Sequence, residues 1–300
     1  MKHYLSLFLL LLIGQVEAQQ IYRLYDGPAP GSENWNFEEQ RNLDKDGNLL
    51  SFTDVVNPEI QVFLPSAEKS TGTAVVVLPG GGMRQLFVGR GFMHIADWLN
   101  AEGIAVIFLK YRLNSDKIPG EFNDPPFSME NMPRVQVHEF EKFKKANANP
   151  APGEKGDMVA TMAGDDLKKA IQMIRKNSAD WQIDPAKVGV MGFSAGGGVI
   201  LNSITRPKHL PDFIASIYGP ALNEVVVPKP AMPLFVAVEA DHMNVAAGCL
   251  GLFKEWKAAG GSAELHVYAE GGGPFPFDGN DNTSDSWKES FLLWLTHLGF

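Results

Sequence analysis

The 300-residue chain predicts an α/β fold, a doubly wound and mostly parallel sheet with helices on both faces. Three observations carry that prediction. Apolar runs of strand length alternate with single amphipathic helical stretches over most of the chain, the order from which right-handed crossovers build a parallel sheet. One of these runs, Val188-Gly-Val-Met-Gly-Phe193, passes directly into a helix-compatible stretch through the pentapeptide Gly192-Phe-Ser-Ala-Gly196. No internal repeat or low-complexity block breaks the alternation.

Taken in order, the first eighteen residues read as a secretory leader. Lys2 supplies a basic start, residues 4–13 are apolar but too short to span a bilayer, and Val16-Glu17-Ala18 resembles a small-residue cleavage site. Residues 19–55 are polar and turn-rich, with Pro28, Pro30 and Gly31 and no sustained period, and are expected as an extended arm over the domain. The domain itself is placed at 56–300. Ile60, Val62 and Leu64 alternate as a first strand, and residues 74–78 form a second, more buried one that ends at Pro79-Gly80-Gly81-Gly82. Phe92, Ile95, Ala96 and Leu99 recur at helical spacing, and 104–109 is the next buried strand.

Residues 114–152, rich in Pro, Asn, Glu and Lys, are too long for a simple connection and read as an insertion, either a lid over the strand ends or a solvated excursion. Leu167, Ala170, Ile171 and Ile174 then share a helical face, and Asp184-Pro185 turns the chain into the strand at 188–193. Strands are expected at 213–217, 234–239 and 263–268. Helices are expected at 245–259 and around Trp287, Phe291, Trp294, Leu295 and Leu298.

A formal net charge of -9 argues against polyanionic partners such as nucleic acid, which are held largely by Lys and Arg on phosphates. The single cysteine, Cys249, leaves no internal disulfide framework and no thiolate metal site; its spacing with Leu250, Phe253 and Trp256 suggests a buried, inert thiol. No ligand cluster argues for a metal, and no cofactor is implied.

The chemistry gathers around Ser194. In a Gly-x-Ser-x-Gly turn between strand and helix, the small flanking residues let the two elements approach and the serine is lifted clear as a nucleophile. Acyl transfer through serine also needs a base, an acid to support it, and donors for the oxyanion. A glycine-rich turn after an earlier strand, here Pro79 to Gly82, can aim backbone N–H groups at a carbonyl oxygen. The N–H of Ala195, next after the serine, is a further donor. Asp241 follows the strand at 234–239, at the carboxyl edge where open α/β sheets place functional groups, and it comes after the serine in the chain.

These segments, with Pro28-Ala-Pro-Gly-Ser-Glu-Asn34, Leu109-Lys-Tyr-Arg-Leu113, Trp181-Gln-Ile-Asp-Pro185 and Ser284-Asp-Ser-Trp287, make the chain resemble the acetyl esterase/lipase branch of the α/β-hydrolases. The likeness is to exported carbohydrate esterases of the acetyl xylan esterase kind. The resemblance implies an α/β-hydrolase fold, Ser194 as nucleophile, Asp241 as acid, and Gly81, Gly82 and Ala195 as oxyanion donors. It also implies an acylated carbohydrate or small ester as substrate and a secreted or periplasmic location without stable membrane insertion. The family's general base is a histidine in a Gly-Gly-His-Gly-Phe-Gly run, where this chain has Gly271-Gly-Gly273-Pro-Phe-Pro276, so Gly273 takes the histidine's place. A further histidine common after the serine turn is replaced by Gly198.

The base must then come from elsewhere in the chain. His3 leaves with the leader, His297 is near the end of the last helix, His94 is off its helix's apolar face, His209 lies in a loop and His266 within a strand. His242 adjoins Asp241, His138 depends on how the insertion folds, and Glu270 stands three residues before Gly273. Two functions stay open on this reading: an exported serine ester hydrolase, or a weakly active or silent hydrolase fold that binds a carbohydrate or a protein partner.

Overall fold

The computed structural model describes residues 20–122, 153–206, 208–221, 225–242, 245–270, 277, 279 and 281–300. Eleven strands and five α-helices are assigned among them: β1 (Gln20–Arg23), β2 (Gln40–Leu43), β3 (Leu49–Thr53), β4 (Glu59–Phe63), β5 (Ala74–Leu78), β6 (Gln85–Phe87), α1 (Arg90–Ala101), β7 (Ala105–Lys110), α2 (Gly153–Lys176), β8 (Val188–Phe193), α3 (Ala195–Ile204), β9 (Ile214–Ile217), β10 (Leu234–Glu239), α4 (Ala246–Ala258), β11 (Ala263–Tyr268) and α5 (Trp287–Leu298). Eight strands form one sheet in the order β1-β4-β7-β5-β8-β9-β10-β11, and β2-β3-β6 form a small separate one. From β7 to β11 every pairing in the large sheet is parallel, while β4 pairs antiparallel with β1 and β7.

The central strands β5, β8, β9 and β10 are buried along their whole length. Such continuous apolar runs suit a parallel sheet covered on both faces. Neighbouring residues of one strand show the two faces directly, because their side chains point in opposite directions. Phe193 packs against Phe92 of α1 and Trp287 of α5, whereas a Cβ on Gly192 would run into Gly196 and Gly197 of α3. So α1 and α5 cover one face, and α3, with α2 packed against it, covers the other.

The expected helix faces are buried as their spacing requires: Ile95, Ala96 and Leu99 in α1, Leu167, Ala170, Ile171 and Ile174 in α2, and Trp287, Phe291, Trp294 and Leu295 in α5. Leu298 is only half-buried.

The arm differs from expectation. Residues 20–23 add β1 to the edge of the main sheet, and residues 40–53 supply β2 and β3 of the small sheet. The apolar period was missing because β1 and β2 lie at sheet edges and are largely exposed, so no face of theirs has to be apolar. The arm is also tied inward. Arg112 and Asp166, both buried, pair through Nε to Oδ2 at 3.0 Å and Nη2 to Oδ1 at 2.7 Å. Arg112 Nη1 also donates to the Pro30 carbonyl at 2.7 Å, and Tyr25 Oη donates to Asp166. This accounts for the Pro28–Asn34 and Leu109–Leu113 motifs as scaffold. Of the insertion expected at 114–152, residues 123–152 lie outside the described residues, as do the leader and His138.

Candidate active site

Ser194 follows β8 directly and stands at the N-cap of α3 with φ 49° and ψ −121°. For a side-chain-bearing residue this is a strained conformation, costing about 1–3 kcal/mol, and it persists only where the surroundings enforce it. Here they do. The Ser194 N–H donates to the Ile217 carbonyl at 3.0 Å, and the Ser194 carbonyl accepts from Gly197 at 2.9 Å. A Cβ on Gly196 would sit 2.4 Å from the Leu78 carbonyl oxygen, and one on Gly197 would sit 2.7 Å from Gly219 Cα. The glycines are thus required by backbone approaching backbone. Ser194 is half-buried, and its hydroxyl does not cap the helix, so Oγ stands at the positive end of α3 with no structural duty there.

The glycine turn after β5 comes to the same place. A Cβ on Gly80 would lie 3.0 Å from Ser194 Cβ. Gly81 and Gly82 take φ of 136° and 63°, and the loop is closed by the Gly81 carbonyl, which accepts from Arg84 and Gln85 at 3.1 Å. Tyr111, fully buried, donates its hydroxyl to the Pro79 carbonyl at 2.7 Å and fixes the loop from below. Among the described residues, the N–H groups of Gly81, Gly82 and Ala195 donate to no backbone carbonyl. An N–H left free at a helix start or in a nest-like turn suits an anionic oxygen. Gly198 is buried in the first turn of α3 and brings no side chain to the site.

Asp241 lies in the turn after β10, two strands from β8, and is exposed. His242 beside it is half-buried, and its ring lies 6.2 Å from that of Tyr218 at an interplanar angle of 25°. Burial pushes the imidazole below its ordinary range, while the Asp241 charge pulls the other way. Tyr218 follows β9 with φ 40°, is buried, and lies edge-on to Phe193 at 5.9 Å.

Two residues here were missed by sequence reasoning. Glu239, the last residue of β10, is fully buried, and its charge adds to burial in raising the Tyr218 phenol and in pushing the Cys249 thiol up to about 12. A lone acid ending the apolar run Leu234-Phe-Val-Ala-Val238 was the available signal for Glu239. Tyr218 had none, because its position depends on a backbone conformation. The expectation for Cys249 is met, since it is buried.

The remaining candidates separate. His266 sits in β11 with Nε2 2.7 Å from Glu264 Oε1 and its ring against Phe235. His209 and His297 are exposed in a loop and on α5. His94 lies in α1 one turn before Trp98, which packs against Phe277 and Trp287. Glu270 is exposed just beyond β11, and Gly273 lies outside the described residues. No group of three or more His, Cys, Asp or Glu among the described residues is placed to hold a metal ion. Two clefts flank the arm, of about 690 and 370 Å³, and both include Arg23 and Tyr25. Neither is lined by Ser194, the glycine turn, Asp241 or His242, and both lie at the β1 edge, four strands from β8.

The BD-FAE family model matches residues 146–208, from before α2 through α3, including the strand-to-helix elbow formed by the Gly192–Gly196 turn. An acetylxylan esterase of Xylanibacter ruminicola is 26% identical over 171 residues, which cover 56% of this chain and 26% of that protein. The chain therefore spans about a quarter of the length of the curated relative it matches. Among solved structures, an acetyl ester-xyloside bifunctional hydrolase of Caldicellulosiruptor lactoaceticus superposes with a TM-score of 0.62 at 19% identity, covering 96% of this chain and 99% of that one. A carboxylesterase of Lactobacillus plantarum gives a TM-score of 0.57 at 16% identity, covering 88% and 98%. The chain has the α/β-hydrolase fold, and the proteins it resembles are esterases.

Proposed function

We propose that this α/β-hydrolase is an exported serine ester hydrolase that removes acetyl or similar acyl groups from carbohydrate. The observation that carries the reading is the conformation of Ser194: a strained backbone, held by the Ile217 and Gly197 bonds, presents a hydroxyl with no structural role at the start of α3. In this reading Oγ attacks the acyl carbonyl, and the N–H groups of Gly81, Gly82 and Ala195 receive the negative charge on its oxygen. Each such donor contributes about 10²–10³ to turnover. Asp241 supplies the acid side. The carbohydrate substrate is supported by the acetylxylan esterase and the acetyl ester-xyloside hydrolase among the similar proteins. Export to the periplasm or outside the cell is supported by the leader-like residues 1–18. No helix of the described residues is long and apolar enough to cross a membrane. We also place the mature domain at 56–300, preceded by the arm and interrupted at 114–152.

Acetate release from acetylated xylan and from p-nitrophenyl acetate tests this reading. Ser194→Ala should cut turnover by about 10⁴–10⁶; equal background rates in both proteins would end it. One observation favours a second reading, a silent hydrolase fold that binds carbohydrate or a protein partner: Gly198 and Gly273 stand where the resembled family carries histidines. A fluorophosphonate separates the two, since a serine with no base labels no faster than the Ser194→Ala background.

A further inference from the structure

Resting on the serine-esterase reading, we propose that the consecutive residues Asp241 and His242 form the acid–base pair of this site, with His242 taking the proton of Ser194.

The placement comes from the strand register. Phe193 pairs with Ile217, and Ile217 with Ala237, so Ser194, Tyr218 and Val238 stand at one level across β8, β9 and β10. Adjacent strands are about 4.8 Å apart, which sets the β10 backbone about 10 Å from that of Ser194. That gap is within the combined reach of an imidazole and a serine hydroxyl only if the imidazole leans toward β8. It does lean that way. The His242 ring stacks on Tyr218, which belongs to the intervening strand's end and itself packs against Phe193. The turn that turns it back is closed by the His242 N–H donating to the Glu239 carbonyl at 3.2 Å, while Val245 and Ala246 donate to the His242 carbonyl at 3.0 Å.

The charged and titratable groups around the ring fit a base. Asp241 stands beside it and Tyr218 faces it from the end of β9, while the Glu239 charge acts on Tyr218 and on Cys249 of α4. Tyr218 and Cys249 stay neutral at working pH because both are buried near Glu239. Burial keeps the imidazole neutral and so able to accept a proton, and the nearby carboxylate favours the imidazolium once formed. Asp241 and His242 are adjacent in sequence and act on one another by charge, without the hydrogen bond of a full triad, so this base is a modest one.

The steps balance without a co-reactant beyond water. The Ser194 Oγ proton passes to His242 as the Oγ–acyl carbon bond forms and the carbonyl electron pair moves onto oxygen. The tetrahedral species expels the sugar alkoxide, which takes the proton back from the imidazolium. Water then gives a proton to His242 as its oxygen bonds to the acyl carbon; the acyl carbon–Oγ bond breaks, Oγ takes the proton back from the imidazolium, and the carboxylic acid leaves.

The test is the rate of Ser194 labelling by a fluorophosphonate from pH 5 to 8. The wild-type rate should rise through one inflection below pH 6.5 and then level. In His242→Gln the inflection should vanish and the plateau should fall about 10²–10⁴-fold. Asp241→Asn should keep the inflection but move it lower. Added imidazole should restore labelling of His242→Ala, which a merely structural defect would not allow. His242→Gln labelling at the wild-type rate, or loss of the inflection in His94→Gln or His138→Gln instead, would overturn the pair while leaving the esterase reading intact. Wild-type labelling no faster than Ser194→Ala would overturn both.

Discussion

The carboxyl edge of the sheet has two halves, and they are built differently. On the elbow side, β5, β8 and the start of α3 are held by contacts between backbones: glycines that leave no room for a Cβ, the Ser194 and Gly197 bonds, the Tyr111 hydroxyl on Pro79, and the buried Arg112–Asp166 pair behind them. On the far side, beyond β9 and β10, Asp241 is exposed and His242 is fixed by one turn and one ring stack. The half that stores strain is over-determined, as it must be for a serine at φ 49° to persist. The half proposed to move protons is held lightly. Substitutions on the first side should therefore register as stability, and on the second as rate and pH dependence.

The largest expected effect sharpens the first half. Arg112→Met leaves the Asp166 carboxylate buried without its cation and strands the Pro30 carbonyl, and should cost about 3–5 kcal/mol by urea denaturation. Gly196→Ala comes next. Its methyl would lie 2.4 Å from the Leu78 oxygen and 2.8 Å from the Pro79 oxygen, both backbone atoms that cannot step aside, so about 3 kcal/mol is expected, with labelling of Ser194 lost as the oxyanion loop shifts. Tyr111→Phe removes one hydroxyl and leaves the Pro79 carbonyl unsatisfied, which should lower stability by about 1–2 kcal/mol. Here the ester-hydrolysis rate is the more telling measurement. A fall in turnover larger than the stability loss would show that the loop, and not only the fold, depends on that bond.

The same division explains what could be read from the sequence. The central strands were legible because burial on both faces forces continuous apolar runs: Ala74–Leu78, Val188–Phe193 and Leu234–Glu239 fall where they were expected. The elbow was legible because backbone contact at Gly192, Gly196 and Gly197 admits no other residue. Strands β1 and β2 were not, since exposed edge strands need no apolar face. Tyr218 was not, because nothing in its neighbours announces φ 40°. The relation between His242 and Tyr218 is likewise a matter of tertiary direction. A sequence places both residues near the sheet edge but does not say which way the imidazole leans, and that direction decides whether adjacency to Asp241 is chemistry or coincidence.

The smallest expected effect tests the lightly held half by its pH dependence alone. His242 has a folded pKa below the unfolded value of about 6.5, with burial as the main cause and Asp241 opposing it. Between the lowered value and 6.5 the unfolded chain binds more protons than the folded one, so stability rises with pH across that window. This contribution is fully present above pH 6.5 and is lost as pH falls through the folded pKa. Asp54 and Asp116 behave alike but at lower pH. Burial raises Asp54, yet hydrogen bonds from Lys117 and Ser115 outweigh it, and the Arg84 hydrogen bond depresses Asp116, so their contributions disappear only below the carboxylate range. Thermal melts of wild type and His242→Gln from pH 8 to 4 should therefore diverge below pH 6.5, with the variant flatter, and then fall together near pH 4. Melts that stay parallel throughout would mean the imidazole is solvated and free to turn. The lean toward Ser194 would then be lost, and with it the reason to place the base on this side of the sheet.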